Sequence, residues 1–154
     1  MIEGVKVVPL TQIADERGTV MHMLKRTDEH FVEFGEIYFT TVHPGVVKGW
    51  HKHQRMTLNY ACLHGRIKLV LYDDREDSPS RGEMMELFLG PSDYKLVQIP
   101  TGVWNSFKGL GDVTSIIANC ATEPHTKEFS DAIDPMSESF IPYDWTAGGV
   151  VSHG

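Results

Sequence analysis

The sequence lacks long apolar runs and is poor in cysteine. No uninterrupted apolar stretch reaches the roughly 18 residues that a membrane-spanning helix needs. The two cysteines, Cys62 and Cys120, lie far apart in apolar surroundings and do not have the close spacing of a metal site. We expect both to be buried free thiols in a reducing compartment. With no signal-peptide pattern at the start of the sequence, these absences predict a soluble cytoplasmic protein without membrane association.

The sequence also has no excess of basic residues. The 14 lysines and arginines are outnumbered by 21 aspartates and glutamates, which gives a formal net charge of −7. A protein with this charge repels phosphate backbones over most of its surface, so we do not expect nucleic acid as a partner. An anionic ligand would have to meet a local cluster of cations.

Sustained helical periodicity is also absent, apart from one helical turn that residues 126–132 can form. The 154 residues suit one domain with a real core. Short segments rich in β-branched and aromatic residues recur about every ten residues between Gly and Pro turns, which is typical of a sandwich or barrel. We therefore predict an all-β jelly roll over residues 1–145 and a fraying tail over 146–154. The predicted strands are 5–10, 19–24, 34–42, 46–53, 57–63, 66–72, 83–89, 94–99, 103–108 and 113–121.

The stretch 46–53 carries the most chemistry. His51 and His53 are two positions apart, so on a strand they project to the same face and would point into the cavity of the jelly roll. Lys48 adds a cation nearby. Two imidazoles beside a positive charge can transfer protons, bind a metal, or simply form the wet face of a strand.

Motifs in a fixed order narrow these alternatives. They are Asp-Glu-Arg-Gly at 15–18, Lys-Gly-Trp-His at 48–51, Asp-Asp-Arg-Glu-Asp-Ser-Pro at 73–79 and Ile-Pro-Thr-Gly at 99–102, followed by acidic segments at 134–135 and 141–145. In this order and spacing, the chain resembles the dTDP-4-dehydrorhamnose 3,5-epimerase family of cupins, which modify nucleotide-linked 4-keto sugars. The resemblance extends from about residue 15 to 145 and implies a double-stranded β-helix.

The resemblance implies proton transfer next to a ketone, in the biosynthesis of deoxysugars or polysaccharides. Epimerisation at C3, C5 or both would begin when His51 removes the proton α to the ketone, because imidazole has a pKa near neutrality. Asp134, or failing that Asp144, would orient the imidazole. His53 or Lys48 would stabilise the oxyanion that develops.

The resemblance also implies a nucleotide-sugar substrate, and we assign it six side chains. Arginine or lysine would take the pyrophosphate, aromatic rings would stack on the base or the sugar, and an asparagine occupies the position of a second family histidine. The six are Arg17, Lys48 and Arg66 for phosphate, Tyr38 and Trp50 for stacking (with Trp104 as a further candidate), and Asn105.

Two departures from the family leave other functions open. Ala118 aligns with the family tyrosine that donates a proton from the opposite face of the sugar, and alanine cannot donate one. The His51-Lys52-His53 triplet also resembles the sugar 3,4-ketoisomerases of the same cupin group, for which Tyr38 matches a nearby tyrosine. A sugar-nucleotide binding protein without catalysis is the third alternative.

A metal and other cofactors are not expected. A metal-binding cupin carries a glutamate four or five residues after its His-x-His pair and a third histidine after the Pro-x-Gly turn. This chain has no glutamate over 54–58 and has Asn105 at the later position.

The resemblance further implies a homodimer in which a strand of each subunit completes the sheet of its partner. The candidate exchanged strands are 5–10 and 19–24, because an apolar edge would otherwise be exposed. Arg17, in the turn before the second of these, would reach the pocket of the neighbouring subunit.

Overall fold

The computed structural model describes residues 1–146 and 149–150, which form antiparallel strands and one short 3-10 helix, Lys127–Phe129. In the described part of the chain, no helix is long and apolar enough to cross a membrane. In chain order, the strands are β1 (Lys6–Pro9), β2 (Gln12–Asp15), β3 (Gly18–Met21), β4 (Glu36–Val42), β5 (Val47–His53), β6 (Leu58–His64), β7 (Arg66–Asp73), β8 (Met84–Leu89), β9 (Lys95–Ile99), β10 (Val103–Leu110), β11 (Ser115–Ala121), β12 (Ser130–Ala132), β13 (Tyr143–Asp144) and β14 (Gly149–Val150).

Two five-stranded antiparallel sheets make up the body of the protein. The first has the order β1-β9-β6-β11-β4 and the second the order β12-β5-β10-β7-β8. Strands that are distant in sequence are neighbours in both sheets, as in a jelly roll. The predicted all-β cupin fold is confirmed.

Every predicted strand appears in the structure, with ends that differ by a few residues. The alternation of polar and apolar residues explains this success, because on β7 the side chains of Ile67, Leu69 and Leu71 enter the core between the sheets. Val70, which lies between Leu69 and Leu71 in sequence, belongs to a second apolar cluster on the other face of the sheet. The sequence analysis missed β2, β12, β13 and β14, which are short. Of residues 126–132, only the 3-10 helix is helical, and the rest includes β12.

The closing segment of the chain covers the outer face of the second sheet. Ile141, Tyr143 and Trp145 pack there against Trp50 and Trp104, and all five side chains are buried. The segment therefore completes the fold by burying aromatic rings of β5 and β10 that solvent would otherwise reach.

The predicted tail is partly paired. Strand β14 lies against β13, so Gly149 and Val150 form backbone pairs within the stretch expected to fray. Residues 147–148 and 151–154 lie outside the described residues, and for them fraying stays a prediction.

The two strands proposed for exchange have different surroundings. Strand β1 pairs with β9 of its own chain along its whole length, so the prediction that 5–10 is exchanged is not supported. Strand β3 pairs with β2 in a hairpin that belongs to neither large sheet. Cys62 and Cys120 are buried and free, as predicted.

Candidate active site

A cavity of about 340 Å³ opens between the edge strand β4 of the first sheet and β5 of the second. Polar and titratable side chains from both strands line it, together with residues of β6, β10 and the loop after β11. This is the kind of pocket in which a small ligand meets a few convergent polar groups. The lining residues are Glu36, Tyr38, Thr40, Lys48, His51, His53, Tyr60, Phe107 and His125.

An irregularity in β5 brings three of its side chains, Lys48, His51 and His53, to this cavity. Strands β5 and β10 pair with a register shift between Asn105 and Ser106, opposite Gly49. Gly49 has φ +111°, and a Cβ there would lie only 2.8 Å from the backbone of both Asn105 and Ser106. The shift explains why Lys48 and His51, three residues apart, share one cavity although a regular strand would separate them.

His51 lies exposed at the mouth of the cavity. Partial burial of its ring lowers the pKa below the usual value, and the charges of His125 and Lys48 lower it further. The ring is therefore neutral at neutral pH and available as a base. Lys48 itself donates a hydrogen bond to the backbone oxygen of Thr41 at 3.0 Å.

His53 lies deeper in the same wall and is only 7% exposed. Burial, followed by repulsion from His125 and His51, lowers its pKa to about 4. Its Nδ1 atom is buried and has no hydrogen-bond partner among the described residues. His53 is therefore a neutral imidazole in the cavity wall and cannot act as a cation near neutral pH.

The opposite wall carries Tyr38 on β4, beside Asn119 of the neighbouring strand β11. The Nδ2 atom of Asn119 donates a hydrogen bond to the Tyr38 hydroxyl oxygen at 2.9 Å. Burial raises the pKa of Tyr38, against the effect of this hydrogen bond, so the phenol is protonated at neutral pH.

Asn105 lies behind the cavity, where it is 1% exposed. Its Oδ1 accepts a hydrogen bond from the hydroxyl of Tyr60 at 3.3 Å, and its Nδ2 donates to the backbone oxygen of His51 at 3.3 Å. Asn105 thus joins strand β5 at His51 to the cavity-lining Tyr60.

His125 and Glu36 are site residues that the sequence analysis missed. The His125 ring meets His53 edge to face at a centroid distance of 5.8 Å and Tyr38 at 6.4 Å. The Glu36 carboxylate accepts a hydrogen bond from the His125 backbone N–H at 3.0 Å, which fixes the loop over the cavity. No sequence pattern pointed to His125, because it lies in a loop after β11, far from the other histidines in sequence.

Asp134 does not line the cavity and makes no hydrogen bond to His51 among the described residues, so the expected pairing of His51 with Asp134 stays a prediction. Its carboxylate is exposed and caps a turn by accepting a hydrogen bond from the Met136 backbone N–H at 2.9 Å. The adjacent strand β12 runs along β5, and Ala132, not Asp134, is the residue opposite His51. The other candidate, Asp144, lies in β13 and caps a turn by accepting from the backbone N–H of Thr146 at 2.8 Å.

Three of the expected ligand-binding residues also lie outside the cavity. Trp50 points to the other face of β5 and is buried against the closing segment. Arg66 stacks its guanidinium over Phe88 at 5.0 Å. Arg17 pairs with Asp15 at 2.6 Å in the β2–β3 hairpin, with 82% of its side chain exposed. Within one chain, therefore, Lys48 and Tyr38 are the expected ligand-binding residues that line the cavity.

Metal ligation was also tested by geometry. Although three histidines line the cavity, no group of three His, Cys, Asp or Glu side chains in the described part of the chain converges as a metal site would require.

A family model described as dTDP-4-dehydrorhamnose 3,5-epimerase matches residues 1–153. The chain belongs to this family. It is therefore an isomerase of the sugar-nucleotide epimerase class, and the epimerase identity expected from the motifs is confirmed at the level of the family.

Similar proteins agree with the family assignment. The chain is 35% identical to the "Probable low-salt glycan biosynthesis epimerase Agl13" of Haloferax volcanii, over 93% of this chain and 89% of that protein. It is 32% identical to the "Spore coat polysaccharide biosynthesis protein SpsL" of Bacillus subtilis, over 94% of this chain and 97% of that protein. The crystal structure of a dTDP sugar isomerase from Desulfovibrio desulfuricans G20 is 41% identical and superposes with a TM-score of 0.92, covering 97% of this chain and 95% of that one.

Proposed function

We propose that this epimerase removes a proton from the carbon next to the C4 ketone of a nucleotide-linked sugar, with His51 as the general base. The observation that carries this proposal is the position of His51, a neutral imidazole at the mouth of a cavity large enough for a sugar. A base near neutral pKa matches the weak acidity of a proton α to a carbonyl. Removal of this proton is compatible with epimerisation at C3, at C5 or at both carbons.

Lys48 is the better of the two candidates for stabilising the enolate oxygen. A cation is worth most where negative charge develops in a partly enclosed site. The pKa of His53, lowered to about 4, keeps that ring neutral at neutral pH, whereas the Lys48 ammonium lines the same cavity as the base. His53 would then shape the wall and hold the base in place without carrying charge.

In this proposal His51 acts without a hydrogen bond to any carboxylate of the described residues. A carboxylate would raise the pKa of the imidazole and favour its charged form. In its absence, burial and the charges of His125 and Lys48 favour the neutral ring, so the base is already deprotonated below pH 7. Activity should accordingly persist into mildly acidic solution.

The phosphates of the substrate need more positive charge than Lys48 supplies, and we place the second cation on a partner subunit. Arg17 is accessible for this role, because 82% of its side chain is exposed on a hairpin outside the main sheets, where its guanidinium pairs with Asp15. A homodimer would bring this hairpin to the neighbouring cavity. The two buried free thiols support a reducing, cytoplasmic location.

Solvent exchange tests the proposed reaction. A 4-keto nucleotide sugar incubated with the protein in deuterated water should gain deuterium at C3 or C5, with inverted configuration, as read by NMR and mass spectrometry. His51→Asn should lower the exchange rate by about 100-fold or more, the usual contribution of a general base. Binding of the sugar nucleotide should be retained.

The control is His22→Asn, which removes an exposed imidazole outside the cavity and should exchange as fast as the wild type. A fully active His51→Asn protein would refute the role of His51. A 3-keto product would instead identify a 3,4-ketoisomerase, and binding without exchange would identify a non-catalytic sugar-nucleotide protein.

A further inference from the structure

Inversion of a carbon centre needs proton carriers on two sides of the sugar. The proton that the base removes from one face must be replaced by another delivered to the opposite face, otherwise the original configuration returns. His51 on β5 serves one side, so we look for a donor among the other side chains that line the cavity. The alanine that aligns with the family tyrosine cannot supply it, because Ala118 pairs with Phe39 and so shares the outer face of the sheet.

Two tyrosine hydroxyls belong to the lining of the cavity, and their hydrogen bonds distinguish them. An amide oxygen can only accept, so the hydroxyl of Tyr60 must donate its proton in the 3.3 Å hydrogen bond to Asn105 Oδ1. Tyr60 is also 7% exposed and lies at the bottom of the cavity. It is therefore poorly placed to deliver a proton to a ligand.

The surroundings of Tyr38 leave its proton free. The Oδ1 atom of Asn119 accepts a hydrogen bond from the Asn59 backbone N–H at 3.0 Å, which fixes the orientation of the amide. Its Nδ2 therefore faces the Tyr38 hydroxyl and must donate to it, at 2.9 Å. The Tyr38 oxygen is the acceptor, and its own hydrogen can point into the cavity.

We infer that Tyr38, held by Asn119, is the catalytic acid that protonates the sugar on the face opposite His51. This inference rests on the proposed function. His51 takes the proton from carbon and the enolate forms. The O–H bond of Tyr38 then breaks as the enolate electron pair forms a new C–H bond on the other face and the ketone is restored.

After the step, Tyr38 is a phenolate and His51 is protonated, and both can return to their starting states. The phenolate left on Tyr38 is stabilised by the amide N–H of Asn119, which donates to it in both states. Water entering the open cavity returns a proton to the phenolate and takes one from His51. The balance needs no co-reactant.

The experiment separates proton removal from inversion. The test uses a 4-keto nucleotide sugar in deuterated water. In Tyr38→Phe, His51 should still exchange the proton α to the ketone for deuterium, while formation of the inverted product falls by about 100-fold or more. The ratio of exchange to inversion should rise accordingly. Sugar-nucleotide affinity and thermal unfolding are measured in parallel, to show that the variant is folded and binds.

Tyr94→Phe is the matched control, because it removes a tyrosine hydroxyl away from the cavity and should leave both rates at wild-type values. A folded Tyr38→Phe protein that inverts the sugar at the wild-type rate would overturn the inference and leave the proposed function intact. A rise in the exchange-to-inversion ratio in His125→Gln and not in Tyr38→Phe would overturn it too. A wild-type protein that neither exchanges nor inverts would refute the proposed function, and this inference with it.

Discussion

At the scale of single residues, His53 connects the site to the stability of the fold. Its folded-state pKa of about 4 lies below the ordinary value of 6.5. Between these two values the unfolded chain binds a proton that the folded chain does not, so stability falls as the pH drops from about 6.5 to about 4. Below pH 4 both states are protonated and the effect levels off.

We expect His53→Gln to flatten this pH dependence. A shift of this size corresponds to about 3 kcal/mol between pH 7 and pH 4, which is a large part of the stability of a small domain. His51, whose pKa is also lowered, contributes with the same sign, so some dependence should remain. Urea unfolding at a series of pH values measures the difference from the wild type. His22→Gln, at an exposed position, should follow the wild-type curve, and an unchanged slope in His53→Gln would contradict the folded-state pKa.

The sequence predicted part of the residue-scale picture. His51 and His53 could be predicted to share a face, because strand geometry relates positions two apart. Asp134 could not be placed, since its position depends on how the chain after β12 turns away from β5, and a short turn capped by its own carboxylate decides that. His125 depends on a loop held by Glu36, a contact between distant parts of the chain.

At the scale of elements, one register decides which side chains of β11 share the face of the sheet that carries Tyr38. Asn119 lies opposite Tyr38 and Ala118 opposite Phe39, so a shift of one residue would exchange the two faces. Sequence alignment compared Ala118 with the family tyrosine, whereas in the structure it is Asn119 that contacts the cavity-lining Tyr38. Alternation predicts that a strand exists, but only its pairing shows which of two adjacent residues meets the ligand.

The irregularity in β5 offers a test at the same scale, through two glycines. Gly45 and Gly49 both have positive φ, +79° and +111°, but a Cβ at Gly45 would meet nothing within 4 Å. A Cβ at Gly49 would lie 2.8 Å from backbone atoms of β10. We expect Gly45→Ala to cost about 1–2 kcal/mol for its backbone conformation. Gly49→Ala should cost about 1–3 kcal/mol more, because β5 and β10 must move apart.

Urea unfolding midpoints measure these costs, and solvent exchange shows whether the site is disturbed. Gly49→Ala should also slow exchange, since the displaced strand carries both Lys48 and His51. Gly45→Ala should exchange at close to the wild-type rate. Equal losses of stability in the two variants would show that close approach of the strands contributes nothing.

At the scale of the whole molecule, the single chain leaves apolar surface uncovered next to its active site. Ile37 and Phe39 alternate with the cavity-facing residues of β4 and point outward, with 48% and 60% of their surface exposed. The β2–β3 hairpin adds Ile13 and Val20, exposed by 57% and 58%. Large apolar side chains left exposed on an edge strand and on a separate hairpin are typical of surfaces that another protein covers. A second copy of the chain would cover both surfaces and carry Arg17 to the neighbouring cavity, as the proposed homodimer requires.

Sedimentation velocity tests this assembly with two matched substitutions. The wild-type protein should sediment as a dimer at micromolar concentration, and Phe39→Asp should shift it toward the monomer, because a carboxylate cannot be buried unpaired in an apolar interface without a large cost. Val113→Asp introduces the same charge at a 46% exposed position in the β10–β11 turn, outside both β4 and the β2–β3 hairpin, and should remain dimeric. Since Phe39 is exposed in the single chain, its replacement should not unfold the monomer, and circular dichroism distinguishes dissociation from unfolding. If the wild type sediments as a monomer, or Phe39→Asp as a dimer, the interface lies elsewhere or does not form, and Arg17 loses its route to the substrate phosphates.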